Sequence, residues 1–124
     1  MLFRSNRRVL VVEDQPLNAK ILVKILAQKS ISVDVAEDGL KAVNAYLDSK
    51  EGYYDAILMD IRMPVMDGIE ATKQIRSHTE RKDYNLPIIA TTANAFVEDR
   101  EICLEAGMND HLPKPINSDR KSVV

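Results

Sequence analysis

The sequence predicts an α/β fold in which a parallel sheet is covered by helices on both faces. Short apolar runs rich in Val and Ile alternate along the chain with longer segments whose apolar residues recur at helical spacing. This alternation is typical of parallel strands that are buried on both sides. The chain has 124 residues, close to the size of one average domain, so we expect residues 1–124 to form a single domain.

The first two βα units can be located in order. The run Val9–Val12 is too short for a helix and is rich in β-branched residues, and the helix predicted over Pro16–Gln28 has Pro in its first turn. A second strand, Ile31–Ala36, leads to a helix that opens at residues 38–39. The apolar face of this second helix is predicted to carry Leu40, Val43 and Leu47.

The third and fourth units follow the same pattern. Tyr54–Met59 is predicted to be the third strand, and a helix follows the turn residues at 64–68. The polar segment Ser77–Leu86 is predicted to be a loop before a fourth strand that begins with Pro87–Ala90. A fourth helix is predicted over Phe96–Ala106.

The last unit is incomplete. Gly107 stops the fourth helix, and Asp110–Leu112 is predicted to be a short fifth strand. Residues 117–124 are only a stub of a fifth helix, which we therefore expect to be truncated or displaced. The sheet face beside the first helix would then expose apolar surface, which a homodimer or another chain could cover.

Composition excludes several classes of protein. Lys and Arg total 17 against 19 Asp and Glu, a near balance that argues against a nucleic-acid-binding module. No apolar run approaches the roughly 20 residues that cross a membrane. Cys103 is the single cysteine, so no intramolecular disulfide can form, and a cytoplasmic location is expected.

Polar residues follow the carboxyl ends of four predicted strands. They are Glu13 and Asp14 after the first strand, Asp60 after the third, Thr91 and Thr92 after the fourth, and Lys114 shortly after the fifth. Each has a structural explanation when taken singly, such as a helix cap for Asp14, a turn residue for Asp60 or a surface lysine for Lys114. In an open α/β sheet, however, ligands bind at this edge, so the shared position favours a functional site.

Three carboxylates at one edge repel each other, and a hard divalent cation such as Mg²⁺ would relieve the repulsion. There is no His/Cys cluster typical of zinc, and the four separated glycines form no phosphate-binding loop. With a metal ion present, Asp60 is a candidate nucleophile for phosphoryl transfer. Lys114 could then pair with a phosphoryl oxygen, and Thr92 could donate a hydrogen bond to another.

Together these residues resemble a known family, the response-regulator receiver domain. The segments that carry the resemblance are Glu13-Asp14, Leu58–Gly68, Pro87–Ala95 and Lys114-Pro115. They occur in the family's order and spacing, and the resemblance runs from about Val9 to Ile116, which gives the domain an expected core of about residues 8–116. It implies a flavodoxin-like, doubly wound, five-stranded parallel sheet with strand order 2-1-3-4-5. The wording of the motifs looks most like the receivers of hybrid sensor histidine kinases.

The resemblance also implies roles for individual residues. Asp60 would be the phosphoacceptor and, with Asp14 and the backbone carbonyl of Arg62, would ligate Mg²⁺, for which Mn²⁺ could substitute. Glu13 would act mainly through a metal-bound water, and Lys114 would bind the phosphoryl group.

Further roles surround the phosphoryl group. Thr92 would be the switch hydroxyl, while Arg62, Ala93 and Asn94 would flank the phosphoryl group and tune its hydrolysis. The Lys114–Pro115 bond is expected to be cis. His111 stands where the family usually has an aromatic switch residue, so the usual aromatic coupling is not assumed, although an imidazole there could respond to pH.

The implied function is that of a phosphoacceptor in a two-component phosphorelay. A phosphohistidine on a histidine kinase or phosphotransfer domain would donate to Asp60, and the protein-interaction surface would change. Catalysis would be limited to self-catalysed transfer and slow autodephosphorylation. One alternative is a receiver-like docking module that is not phosphorylated. Another is a small phosphohydrolase with an Asp nucleophile, although Arg62 stands where such enzymes typically place a second Asp.

Overall fold

The computed structural model describes residues 7–92 and 97–113. In these residues strands and helices alternate. They are β1 (Arg7–Val12), α1 (Pro16–Gln28), β2 (Ile31–Ala36), α2 (Gly39–Asp48), β3 (Ala56–Asp60), α3 (Gly68–Ser77), β4 (Ile88–Thr92), α4 (Val97–Ala106) and β5 (Asp110–Pro113). The segment predicted to be the stub of a fifth helix, residues 117–124, lies outside the described residues.

The five strands form one parallel sheet in the order β2-β1-β3-β4-β5. This confirms the predicted α/β class and its flavodoxin-like strand order. Val12, at the end of β1, pairs with both Ala36 and Met59, and Asp60 pairs with Thr91. The carboxyl ends of the central strands are therefore level, and the residues that follow them gather at one edge of the sheet.

Apolar residues of the strands alternate between two layers, as the two-residue period of a strand requires. The larger layer packs against α2, α3 and α4, and the smaller one against α1. The buried strand residues of the larger layer are Leu10, Val12, Ala36, Ile57, Met59, Ile88 and Ala90, and the buried residues of the smaller one are Val9, Val11, Leu22 and Leu58. On α1, Leu17 is 70% exposed and Ile21 40%. Each fully buried aliphatic side chain stabilises the fold by about 1.5–3 kcal/mol.

The predicted apolar face of α2 was wrong at one position. Leu40 is 42% exposed, whereas the buried residues of α2 are Gly39, Ala42, Val43 and Tyr46. These four recur at the i, i+3, i+4, i+7 spacing of one helix face, and Leu40 lies about 100° away from Gly39 around the axis. The small residues at 39 and 42 bring the helix close to its neighbours, so the larger Leu40 points outward.

Two helices begin at an Asp that caps the first turn. The side chain of Asp38 accepts a hydrogen bond from the Lys41 amide at 2.8 Å, and Asp67 accepts one from the Glu70 amide at 2.8 Å. Such caps satisfy amides that have no partner within the helix and contribute about 1 kcal/mol each. The longest helix in the described ranges, α1, has 13 residues, which is too few to cross a bilayer.

Candidate metal and phosphoryl site

The structure brings three carboxylates together at the carboxyl edge of the sheet. Glu13 and Asp14 directly follow β1, and Asp60 is the last residue of β3, the strand beside it. One carboxylate oxygen from each residue lies within 4.8 Å of the others. Glu13 is 2% exposed and Asp60 4% exposed, while Asp14 is partly buried. The acidic residues that follow two separate strands therefore form one cluster.

The chemistry of this cluster fits a hard divalent cation. Three negative charges held this close repel each other, and burial of two of them weakens the screening by water. All three ligand atoms are oxygens, the ligands that Mg²⁺ prefers. A backbone contact helps to orient one of them, because Glu13 Oε2 accepts a hydrogen bond from the Gln15 amide at 3.2 Å. Glu13, Asp14 and Asp60 are thus the residues that could hold a magnesium ion.

The segment after Asp60, residues 61–67, is a compact loop that we call the β3–α3 loop. Its first residue donates an amide hydrogen bond to the Thr91 carbonyl at 3.3 Å, and the Gly68 amide donates to the Ile61 carbonyl at 2.8 Å. Within the loop the Met66 amide donates to the Pro64 carbonyl at 2.7 Å. Arg62 lies in this loop with an exposed side chain. The role predicted for its backbone carbonyl remains a prediction.

On the other side of β3, the strand β4 brings two threonines to the same edge. Thr91 pairs with Asp60 and is 1% exposed. The backbone of Thr92 follows as the last residue of β4 and pairs with Pro113 of β5. Thr92 comes one residue after Thr91, the partner of Asp60, so its backbone lies at the carboxyl edge of the sheet. Its role as the switch hydroxyl remains a prediction.

His111 lies on β5, the outermost strand on one side of the sheet, two residues before the carboxyl end of that strand. It pairs with Ala90, and its side chain is 22% exposed. Its Nδ1 lies 3.9 Å from Oδ1 of the neighbouring Asp110. The remaining predicted site residues lie outside the described ranges, and their roles remain predictions. These residues are Ala93, Asn94, Lys114 and Pro115, with the expected cis bond.

Two glycines lie beside the site, although the sequence indicates them only as turn or helix-start residues. A Cβ on Gly68 would lie 2.1 Å from the backbone oxygen of Asp60, and one on Gly39 would lie 2.3 Å from the backbone oxygen of Met66. Both glycines therefore allow close backbone approaches around the β3–α3 loop. The shared Asp-Gly pair at the two helix starts was the only signal in the sequence, and it does not reveal which backbone lies opposite.

Comparison with known proteins identifies relatives of this chain. The family model described as "Response regulator receiver domain" matches residues 9–121. A hybrid signal transduction histidine kinase I of Dictyostelium discoideum is 42% identical over 113 residues, which cover 90% of this chain and 6% of the relative. The chain matches only a small part of such relatives, between 5% and 14% of their length among eight of them.

The solved structures that resemble this chain include receiver domains. The receiver domain of a sensor histidine kinase from Pseudomonas aeruginosa, solved with a magnesium ion coordinated in its active-site cleft, is 43% identical and superimposes with a TM-score of 0.79, covering 91% of this chain and 88% of that one. A Saccharomyces cerevisiae co-crystal structure contains the histidine phosphotransfer protein Ypd1 and the receiver domain of its downstream response regulator Ssk1. The similarity there is 38% identity and a TM-score of 0.79, covering 90% of this chain and 81% of that one.

Proposed function

Because the chain belongs to the response regulator receiver domain family, we propose that it accepts a phosphoryl group on Asp60 as one step of a phosphorelay. The observation that carries this proposal is the cluster of Glu13, Asp14 and Asp60, whose carboxylate oxygens lie within 4.8 Å of one another. We further propose that residues 1–124 form one receiver domain. The lone, buried Cys103 fits a reducing compartment, so a cytoplasmic location is part of the proposal.

The transfer step forms one bond and breaks another. A carboxylate oxygen of Asp60 attacks the phosphorus of a phosphohistidine, the P–N bond breaks, and the electron pair returns to the imidazole, which takes up a proton. The product is an acyl phosphate on Asp60. A Mg²⁺ ion held at the acidic cluster would supply charge neutralisation for the transferring group. Burial at the end of β3 keeps Asp60 fixed in position, which lowers the entropic cost of reaching the reactive geometry.

Other residues of the chain would hold the ion and the phosphoryl group. Asp14, Asp60 and the backbone carbonyl of Arg62 would ligate Mg²⁺, and Glu13 would act mainly through a metal-bound water. We expect Mn²⁺ to substitute because it takes the same oxygen ligands. Lys114 and the Thr92 hydroxyl bind phosphoryl oxygens, and Thr92 and His111 take part in the switch. The phosphoryl group adds about −1.5 to −2 charge, which draws Lys114 and Thr92 toward it and shifts the surface around β4 and α4.

We propose a histidine kinase or a histidine phosphotransfer domain as the donor. Hybrid histidine kinases among the relatives and the yeast co-crystal structure of a phosphotransfer protein with a receiver support this choice. The output partner is a protein, and neither nucleic acid nor membrane is part of the proposal. A homodimer over the sheet face beside α1 is a further expectation that light scattering would test. Leu17 of α1 itself is 70% exposed.

The chain is proposed to be a signalling domain rather than an enzyme. Hydrolysis with fast turnover needs a general acid beside the nucleophile, and the residue two positions after Asp60 is Arg62. We therefore expect slow loss of the phosphoryl group and no multiple turnover with a small phosphomonoester. Arg62, Ala93 and Asn94 would set the rate of that loss.

Incubation with acetyl phosphate and Mg²⁺, followed by a phosphate-affinity gel, tests the proposal. Wild-type protein should shift only in the presence of Mg²⁺, and Asp60→Asn should not shift at all. Asp48→Asn, which removes the same charge from an exposed position of α2, serves as the matched control and should shift like wild type. An equal shift of Asp60→Asn and wild type would contradict the proposal.

A further inference from the structure

The first turn of α2 touches the β3–α3 loop, although the two segments are far apart in the sequence. The Gly39 amide donates a hydrogen bond to the carbonyl oxygen of Met66 at 2.9 Å. A Cβ at position 39 would lie 2.3 Å from that oxygen and 3.0 Å from the carbonyl oxygen of Asp67. No real Cβ approaches backbone atoms so closely, so a side chain at position 39 would force the loop to move.

Glycine is required at position 39 because there is no room for a Cβ, and not because the backbone conformation demands glycine. The glycines with positive φ in the described residues are Gly52 and Gly107, and Gly39 is not among them. Gly52 is the opposite case, because its φ is +80° and nothing lies within 4 Å of a Cβ placed there. Alanine at 52 would strain the backbone and touch nothing, whereas alanine at 39 would fit its own backbone and collide with the loop.

The loop that Gly39 contacts is closed at its base, where its two ends meet. The Gly68 amide donates to the Ile61 carbonyl at 2.8 Å, and a Cβ on Gly68 would lie 2.1 Å from the backbone oxygen of Asp60. Between these points Val65 has a φ of 69°. The base of the loop therefore cannot move easily, and a displacement of Met66 would also displace the residues between Asp60 and Met66.

We propose that Gly39 is a positioning residue for the magnesium site, although it lies outside the acidic cluster. Its contact with Met66 sets where the β3–α3 loop stands relative to the three carboxylates, and with it the backbone carbonyl of Arg62. The inference rests on the proposed function, which assigns that carbonyl to the ion. Partners that orient metal ligands from outside typically contribute 10- to 100-fold to metal affinity.

Titration calorimetry with MgCl₂ on Gly39→Ala and Gly52→Ala tests this role. Both variants should lose thermal stability, for the two different reasons given above, but only Gly39→Ala should bind Mg²⁺ roughly tenfold more weakly than wild type. If Gly39→Ala binds Mg²⁺ as tightly as Gly52→Ala, the positioning role is overturned. If wild-type protein binds no Mg²⁺, the proposed function itself fails, so the two failures are distinguishable.

A measurement on wild-type protein decides the question even where Gly39→Ala does not fold. Coupling between two sites is reciprocal, so if the Gly39 contact favours Mg²⁺ binding, then Mg²⁺ must protect the Gly39 amide from hydrogen exchange. Labelling with ¹⁵N-glycine gives signals from only four residues. Gly52 is the internal control, because its amide is also hydrogen-bonded, to Asp83 Oδ2 at 2.8 Å.

Saturating Mg²⁺ should slow exchange of the Gly39 amide at least about fivefold more than exchange of the Gly52 amide. Equal slowing of the two amides would show that Mg²⁺ stabilises the whole fold without acting through Gly39, and would overturn the inference.

Discussion

At the scale of single residues, the acidic cluster makes the fold less stable when no cation is bound. Glu13, Asp14 and Asp60 each place a carboxylate oxygen within 4.8 Å of the others. Each like-charged pair at this distance costs on the order of 1–4 kcal/mol, depending on the effective dielectric constant. The apolar residues that precede the cluster in β1 and β3 are buried and favour the fold against this repulsion.

Asp14→Asn should therefore raise the free energy of unfolding in EDTA by about 1 kcal/mol, since it removes one of the three charges. It should also reduce the stabilisation that Mg²⁺ provides, because stabilisation by a ligand follows its affinity for the folded state. Thermal unfolding with EDTA and with Mg²⁺ measures both effects. Asp48→Asn is the control, and a gain in Mg²⁺ stabilisation for Asp14→Asn would contradict the account.

Val65 is strained at the surface of the β3–α3 loop. Its φ of 69° lies in a region that β-branched residues rarely adopt, and its side chain is 76% exposed. Val65→Gly should raise the free energy of unfolding by about 1 kcal/mol, because strain is relieved and little packing is lost. Val35→Gly, at a half-exposed position in β2, should lower it, because that backbone is an ordinary strand. Urea unfolding of both variants checks the opposite signs.

At the scale of secondary-structure elements, two arginines anchor the long connection between α3 and β4. Arg76 donates from Nε to the Gly107 carbonyl at 2.9 Å and from Nη2 to the Asn109 side chain at 2.9 Å. Its Nη1 donates to the carbonyls of Tyr84 and Leu86, each at 2.7 Å. Arg76 thus joins the end of α3 to the end of α4 and to the start of β4, and partial burial lowers the pKa of its guanidinium.

Arg76→Lys should destabilise the fold by about 2 kcal/mol, because an ammonium group cannot reach all four acceptors and leaves carbonyls unsatisfied. Arg100→Lys, an exposed position on α4, should change stability by no more than about 0.5 kcal/mol. Chemical denaturation of the two variants side by side provides the measurement. Similar losses in both would mean that the four hydrogen bonds of Arg76 contribute little.

The second anchor links the α3–β4 connection to α2. Arg81 donates from Nε to Asp83 Oδ1 at 3.0 Å and stacks 4.3 Å from the centre of the Tyr46 ring. The Tyr46 hydroxyl donates to Asp83 Oδ1 at 2.9 Å. Burial raises the pKa of Tyr46 from 10.0 to about 12, and the hydrogen bond to Asp83 acts in the same direction.

This pKa predicts an alkaline loss of stability. A raised pKa in the folded state means that the contribution of neutral Tyr46 is complete below about pH 10 and is lost as the pH rises from 10.0 toward 12. Tyr46→Phe should be less stable than wild type by about 1 kcal/mol at neutral pH but should lose less stability between neutral pH and about pH 11. Urea unfolding at the two pH values checks this, and parallel losses in both proteins would contradict it.

At the scale of the whole molecule, the strand order β2-β1-β3-β4-β5 explains why the site exists. It places β1 beside β3, so the residues that follow one strand meet those at the end of the other. Asp14 and Asp60 are distant in the chain and adjacent in the fold for this reason alone. The crevice at the carboxyl ends of the strands is where open α/β sheets bind ligands.

The local sequence pattern was enough to predict the fold, because the apolar residues follow helical spacing in the helices and short β-branched runs mark the strands. Helix α1 and strand β2 have the predicted bounds, and β3 ends one residue later than predicted, at Asp60. The contacts that could not be predicted depend on which face of one helix or strand packs against which face of another. Nothing local to Leu40 reveals that α2 turns Gly39 inward. Likewise, the sequence shows the polar segment 77–86 only as a loop. It does not reveal the hydrogen bonds of Arg76, because their acceptors come from two separate parts of the chain, residues 84–86 and residues 107–109.

The central claim is that Asp60 forms an acyl phosphate beside a magnesium ion. Borohydride reduction tests it most directly, because it converts an aspartyl phosphate to homoserine, which peptide mapping by mass spectrometry can locate. After incubation with acetyl phosphate and Mg²⁺, the account predicts homoserine at position 60, and none when EDTA replaces Mg²⁺. Homoserine at another aspartate, or none at position 60 in the presence of Mg²⁺, would contradict it.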